Sequence, residues 1–186
     1  MSKINKITPL THVKYLNLYE LEAENKYGDT HPYYVASRKD EHTMMAATKK
    51  PLPDGVIIYS LFGEEKDRVI MIRQFRYPLN DYIYEFPAGL IDPGESIKET
   101  AVREMMEETG LSFTPAACED FLHRPHFSSA GMTDETNCTV YGYASGKPNL
   151  DHLEPNEDLS VQLVDKEEAR RILREENLSV KAYYLL

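Results

Sequence analysis

The chain has 186 residues, of which 41% are hydrophobic and 28% charged, a composition typical of a globular domain. Its formal net charge of −10 disfavours a general nucleic-acid binder and a protein that binds anionic membranes. No apolar run approaches the ~20 residues of a membrane span, and the N-terminus shows no secretory signal. We therefore expect a cytoplasmic protein whose two cysteines, Cys118 and Cys138, are buried free thiols; a disulfide or a catalytic pair is the alternative.

The first fifty residues predict an N-terminal antiparallel β extension. Partial alternation in Tyr15–Leu21 is typical of an exposed strand, and Tyr33–Ser37 predicts a second strand after a turn at Gly28–Thr30. A loop at Lys49–Gly55 follows. We therefore predict an extension over residues 1–50 and a main domain over 51–186.

The main domain begins with a predicted hairpin and ends with a helix. The β-rich runs at 56–62 and 68–73 are joined by a short turn, and a strand at 82–86 precedes a Gly/Pro-rich loop at 87–95. Further strands are predicted at 119–123, 137–144 and 159–164, and a second helix at 166–176. This order predicts an α/β or α+β sandwich with a mixed sheet.

Between these strands lies a sharply bounded helix. Ser96 and Glu99 have the spacing of an N-terminal capping box, and Thr109-Gly110 provides a stop. Helical spacing places three carboxylates on one stripe, next to an apolar face. The stripe comprises Glu104, Glu107 and Glu108, and the apolar face comprises Ala101, Val102, Met105 and Met106.

Such a stripe requires positive charge, because like charges at this spacing repel one another. Arg103 can neutralise part of the charge, and a hard divalent cation such as Mg²⁺ or Mn²⁺ would suit oxygen ligands. The alternative is a solvated acidic face without function. The register of the whole segment from Gly89 to Leu111 argues against that alternative. Its specified positions are Gly89, Glu95, Arg103, Glu104, Met105, Glu107, Glu108, Gly110 and Leu111.

This register resembles the signature of Nudix hydrolases, which cleave a nucleoside diphosphate linked to another group. The resemblance implies an α/β/α sandwich and a divalent metal, Mg²⁺ with Mn²⁺ as a possible substitute. It implies metal ligation by Glu104, Glu108, the backbone carbonyl of Ala88, and Glu107 as ligand or close support. It also implies an ion pair between Arg103 and Glu95 that orients the loop on the helix, so both are grouped with the catalytic machinery, as is Glu107.

Two further segments resemble the ADP-ribose pyrophosphatase branch of that family. Arg73–Pro78 and Glu85–Gly89 match its Q-x-R and E-F-P-A-G patterns, which implies that Arg76 and Glu85 bind substrate or lie near the metal. A surface salt bridge is the alternative for Arg76. The loop Ser128–Glu135 resembles a third branch pattern that nominates Glu135 for substrate binding, although Ala130 replaces the usual Pro.

The resemblance also assigns a role to the N-terminal extension. Branch members hold adenine between two aromatic rings beside an Arg, which implies Tyr15, Tyr33 and Arg38 here. The alternative is that these tyrosines simply pack a half-buried sheet. Because N-terminal strands in this branch often reach across two subunits, the resemblance implies a homodimer.

The general base is expected in a late acidic loop. The candidates are Glu154, Glu157 and Asp158, of which we favour Glu157 and keep Glu154 in reserve. An acidic surface loop without catalytic function is the competing interpretation. The expected reaction is hydrolysis of ADP-ribose to AMP and ribose 5-phosphate, with a small-molecule substrate and neither nucleic acid nor membrane as a partner. The alternatives are another nucleotide sugar or nucleoside diphosphate derivative and a non-catalytic nucleotide sensor. Cleavage of oxidised nucleotides fits less well.

Overall fold

A computed structural model describes residues 1–186 and divides into two compact units. The first unit comprises residues 1–54 and 125–137, and the second comprises residues 55–124 and 138–186. The domain boundary drawn from the sequence stays a prediction. The strands are β1 (Lys3–Pro9), β2 (Asn17–Glu24), β3 (Thr30–Ser37), β4 (Gly55–Phe62), β5 (Arg68–Arg76), β6 (Asp81–Glu85), β7 (Ala88–Leu90), β8 (Ser112–Pro115), β9 (His126–Phe127), β10 (Thr136–Ser145) and β11 (Leu159–Val164). The α-helices are α1 (Met45–Thr48), α2 (Ile97–Thr109), α3 (Lys166–Glu175) and α4 (Val180–Leu185).

The first unit contains an antiparallel sheet in the order β1-β2-β3. One face of this sheet is buried through Tyr19, Leu21 and Val35, which pack with Met44 just before α1. The other face is exposed, as the alternating pattern of the N-terminal sequence predicts. The expected N-terminal antiparallel strands are therefore present.

The second unit is built on a sheet in the order β11-β5-β4-β10-β8, with β6 paired to β5 and β7 paired to β4. Successive side chains of β4 point to opposite faces of this sheet. Val56 and Ile58 pack with Ala101 and Met105 of α2. Ile57 instead belongs to the cluster that includes Ile172 of α3 and Ala182 of α4. The sheet thus lies between helical layers, and the predicted α/β/α sandwich is confirmed.

Several local predictions were wrong. Residues 119–123 do not form a strand: Asp120–His123 is a 3-10 turn, closed by a hydrogen bond from the Leu122 amide to the Glu119 carbonyl. The loop predicted at 87–95 contains β7, because residues 88–90 pair with β4. Val102 was expected on the core face of α2 but is 42% exposed, whereas Ala101 and Met105 are fully buried.

The structure contains no helix long and apolar enough to cross a membrane. Both cysteines are free thiols, as expected. Cys138 is buried as expected, whereas Cys118 is partly exposed, contrary to the expectation that both are buried.

Candidate active site

The carboxylate helix, α2, is fixed at both ends by the predicted signals. Ser96 Oγ accepts a hydrogen bond from the Glu99 amide (3.3 Å), and the Ser96 amide donates to Glu99 Oε2 (2.8 Å). Gly110 ends the helix in the left-handed conformation, with φ of 68°, and its amide donates to the Met106 carbonyl (2.9 Å). The register of the three carboxylates is therefore tightly defined.

Those carboxylates lie in different environments. Glu108 is only 2% exposed and accepts a hydrogen bond from the Ala88 amide (3.0 Å). Glu104 is mostly buried, whereas Glu107 is more open to solvent. Burial raises the pKa of Glu104, although nearby Arg103 opposes this effect. Burial also raises the pKa of Glu108 well above its ordinary value, and the neighbouring charges of Glu104 and Glu157 add to this effect.

Arg103 connects the loop before α2 to the carboxylate stripe. Its Nε and Nη2 atoms donate to the two oxygens of Glu95, both at 2.9 Å, so the implied ion pair is present. Nη1 donates to Glu104 (2.8 Å) and Glu107 (2.9 Å), and Nη2 also donates to the Leu90 carbonyl (3.1 Å). The hydrogen bonds from Arg103 are the main cause that lowers the pKa of Glu95 to about 2.

The close approach of β7 to α2 depends on Gly89. A Cβ atom at Gly89 would lie 1.9 Å from the carboxyl carbon of Glu104, a distance that no real side chain tolerates. The strand preceding the helix therefore passes directly against a metal-ligand candidate. A larger residue at this first position of the signature would therefore require the Glu104 carboxylate to shift.

A divalent cation requires several oxygen ligands that converge on one position. No group of three or more His, Cys, Asp or Glu side chains converges on one metal position, because Arg103 holds Glu104 and Glu107 while the Ala88 amide holds Glu108. The chemistry of the donors nevertheless fits. Glu108 is a buried carboxylate hydrogen-bonded to a neutral amide, and oxygen ligands suit Mg²⁺ and Mn²⁺. Ligation by the Ala88 carbonyl stays a prediction.

The hairpin of β5 and β6 adds a cation to this cluster. Arg76 Nε lies 2.5 Å from Glu85 Oε2, so the two residues nominated from the branch pattern pair with each other. The charge of Arg76 also lowers the pKa values of Glu108 and Glu157, against the larger effect of burial. The Arg76 guanidinium is thus close enough to Glu108 and Glu157 for its charge to favour their ionised forms.

The late loop places Glu157 close enough to the carboxylate helix for its charge to act on Glu104 and Glu108. Glu157 is partly buried, and its amide donates to the Glu154 carbonyl (3.0 Å). Burial raises its pKa, with smaller contributions from the charges of Glu154 and Glu107. Glu154 is itself exposed. Of the two glutamates, Glu157 is the one whose carboxylate interacts with the helix, although its role as a base stays a prediction.

Of the residues in the first unit that were predicted to bind substrate, only some lie close together. The Tyr33 hydroxyl donates to the Gly131 carbonyl (2.7 Å), and Arg38 Nε lies 3.3 Å from Glu135 Oε1. Tyr15 is 66% exposed and pairs with Lys14, whose Nζ atom donates to its hydroxyl. Tyr33, Arg38 and Glu135 therefore meet at the loop 128–135, whereas the structure brings none of them into contact with Tyr15.

The sequence interpretation missed two contacts near the late loop. The Tyr82 hydroxyl donates to Asp158 Oδ2 (2.5 Å), and the Asn149 amide donates to the Thr109 carbonyl at the end of α2 (3.0 Å). Both contacts join residues far apart in the chain. No local pattern could have indicated them.

Comparisons with known proteins agree with this geometry. Residues 51–185 match the NUDIX domain family. An ADP-ribose pyrophosphatase of Saccharomyces cerevisiae is 50% identical over 90 residues, covering 47% of this chain and 37% of the yeast protein. An ADP-sugar pyrophosphatase of Mus musculus is 47% identical over 78 residues, covering 42% of this chain and 36% of the mouse protein.

A solved structure described as an ADP compounds hydrolase superposes with a TM-score of 0.69 at 18% identity, covering 99% of this chain and 91% of that chain. At this identity the superposition shows the fold. The chain spans between 36% and 65% of the length of the first curated relatives that it matches. The family match covers most of the chain and includes the whole carboxylate helix, so the chain belongs to the Nudix family.

Proposed function

We propose that the protein hydrolyses ADP-ribose to AMP and ribose 5-phosphate. The observation that carries this proposal is the contact of β7 with the carboxylate helix: Glu108 accepts a hydrogen bond from the Ala88 amide, and Gly89 lies against the Glu104 carboxylate. The charges of Arg76 and Glu157 both act on Glu108. The names of the yeast and mouse relatives support an ADP-linked diphosphate as the substrate class.

The reaction forms a bond between a water oxygen and one phosphorus of the diphosphate, and it breaks the bridging P–O bond. Glu157 accepts the proton from this water at a carboxylate oxygen. Its raised pKa makes it a stronger proton acceptor than an ordinary carboxylate. Arg76, paired to Glu85, binds a phosphate oxygen.

We assign the metal site to Glu104 and Glu108 with the Ala88 carbonyl, and Glu107 in support. Mg²⁺ held there, or Mn²⁺ in its place, would supply neutralisation of the diphosphate charge and activation of a water molecule. Arg103 and Glu95 keep the preceding loop on the helix, so that Ala88 stays beside Glu108.

In the first unit we assign adenine recognition to Tyr15, Tyr33 and Arg38, and a further substrate contact to Glu135. An aromatic ring stacked on a base contributes about 1–3 kcal/mol. We therefore expect Tyr15→Ala to raise the KM for ADP-ribose by about tenfold with little change in kcat. Tyr27→Ala is the matched control, because Tyr27 is also exposed and its ring also lies beneath a lysine.

We also propose a cytoplasmic homodimer. Free thiols are consistent with a reducing compartment, and the first unit exposes several large side chains, namely Tyr15, Leu16, Leu18 and Tyr34. Light scattering coupled to size-exclusion chromatography should give about twice the chain mass. A monomer at micromolar concentration would contradict the dimer without affecting the chemistry.

The decisive experiment measures turnover of ADP-ribose, UDP-glucose, GDP-mannose, NADH and 8-oxo-dGTP with Mg²⁺ and with Mn²⁺. A clear preference for ADP-ribose is the expected result. Preference for another substrate would leave the proposed role of the carboxylate helix unchanged but would overturn the assignment of adenine recognition. Tight nucleotide binding without turnover of any compound would instead identify a sensor.

A further inference from the structure

The loop Asn149–Asp158, which we call the Glu157 loop, is attached at both ends to elements of the candidate active site. At its start, the Asn149 amide donates to the Thr109 carbonyl (3.0 Å). The Asn149 side chain also lies against Gly110, where an added Cβ would approach its Nδ2 atom to 2.3 Å. The start of the loop is therefore packed on the C-terminal end of the carboxylate helix.

At its end, the loop is attached to the β5–β6 hairpin through Asp158. The Phe75 amide donates to the Asp158 carbonyl (2.8 Å), and the Tyr82 hydroxyl donates to Asp158 Oδ2 (2.5 Å). The next residue, Leu159, begins the ladder of β11 with β5. The residue adjacent to Glu157 is thus held through both its backbone and its side chain.

The Tyr82 ring is itself fixed in place. The Arg73 guanidinium lies 4.4 Å from the ring centroid, and the Phe75 ring packs against it edge to face at 5.3 Å. A hydroxyl on a ring held from two sides is a well-defined hydrogen-bond donor. Its acceptor, Asp158, therefore has a defined position relative to the same hairpin that carries Arg76.

We propose that Tyr82 is a positioning residue that acts through Asp158 to hold Glu157 for proton transfer. This inference rests on the proposed function, in which Glu157 is the base. The physical reason is that a small displacement of a catalytic group lowers the rate strongly, even when the substrate still binds. Tyr82 therefore contributes to kcat through the geometry of the loop, without touching the substrate.

The test compares Tyr82→Phe with Tyr143→Phe, a control that removes a hydroxyl from an exposed ring on β10. With ADP-ribose and Mg²⁺, we expect Tyr82→Phe to lower kcat by about tenfold and to leave KM within about twofold. The control should match the original protein. In a Glu157→Gln background, Tyr82→Phe should have no further effect, because the group that it positions is already lost.

Asp158 provides a second test. Asp158→Asn retains an oxygen that can accept from Tyr82 and should retain most activity, whereas Asp158→Ala should resemble Tyr82→Phe. Equal losses in both Asp158 variants would overturn the inference, because the carboxylate itself would then be required. An equal fall in kcat for Tyr82→Phe in the two Glu157 backgrounds would overturn it as well.

Hydrogen exchange gives a readout that does not depend on turnover. The amides of Phe75 and Glu157 should exchange faster in Tyr82→Phe than in Tyr143→Phe, because their acceptors lie within the anchored loop. Unchanged exchange would overturn the positioning role. Near-normal turnover of Glu157→Gln together with faster exchange would contradict only the base assignment of the proposed function.

Discussion

Gly89 packs directly against the Glu104 carboxylate, so that an added Cβ would lie 1.9 Å from its carboxyl carbon. We expect Gly89→Ala to displace Glu104, because β7 is held to β4 and cannot easily move away. Turnover of ADP-ribose should fall by about 100-fold or more, and Mn²⁺ binding should weaken, since the proposed ligand Glu104 is moved. Steady-state kinetics and calorimetry measure the two effects. Turnover within threefold of the original protein would contradict the prediction.

This contact illustrates what the sequence could predict. The capping box and Gly110 predicted where α2 begins and ends. Helical spacing between those ends then predicted that Glu104, Glu107 and Glu108 lie on one side of the helix. The exact burial of each carboxylate could not be predicted, because it depends on β7, whose pairing with β4 is a tertiary contact. For the same reason the Gly/Pro-rich segment 87–95 was predicted to be a loop, although it contains β7.

Contacts between distant residues were the least predictable. Tyr82 and Asp158 lie 76 positions apart, and neither has a local signature for the other. Val102 was wrongly predicted to lie in the core. A helical wheel shows which apolar residues share one side of a helix, but the neighbouring elements cover only part of that side. The side chains that position Glu157 could therefore be identified only from the three-dimensional structure.

Burial of Glu108 predicts pH-dependent metal binding. Its raised pKa means that a proton competes with the cation, so affinity for Mn²⁺ should increase as the pH rises through that pKa. Glu108→Gln should bind Mn²⁺ at least tenfold more weakly and should lose turnover. Calorimetric titration at a series of pH values measures the dependence. Metal affinity that Glu108→Gln leaves unchanged would remove Glu108 from the ligand set.

The pair between Glu95 and Arg103 predicts a pH-dependent stability. The pKa of Glu95 is about 2 in the folded protein, below the ordinary value of 4.5, so the unfolded chain takes up a proton first as the pH falls. The stabilisation from this pair is complete above about pH 4.5 and is lost progressively towards pH 2. Unfolding in urea across this range should show a decline that is shallower in Glu95→Gln. Glu65→Gln, in an exposed turn, is the control and should retain the full decline.

The two cysteines predict a selective alkylation. Cys138 is 1% exposed, and burial raises the pKa of its thiol to about 11. At pH 8 only about one Cys138 thiol in a thousand would then be ionised, and the thiolate is the reactive form. Cys118 is partly exposed, and its Sγ atom lies 2.9 Å from His123 Nε2. Since His123 Nδ1 donates to the Thr139 carbonyl (2.9 Å), Nε2 is the acceptor for the thiol proton.

Iodoacetamide at pH 8 should therefore add one group to the native protein, at Cys118. Intact mass and peptide mapping identify the site, and Cys118→Ser should remain unmodified until the chain is unfolded in guanidinium. Equal labelling of both cysteines in the native protein would mean that β10 opens on the time scale of the reaction, in conflict with the buried position of Cys138.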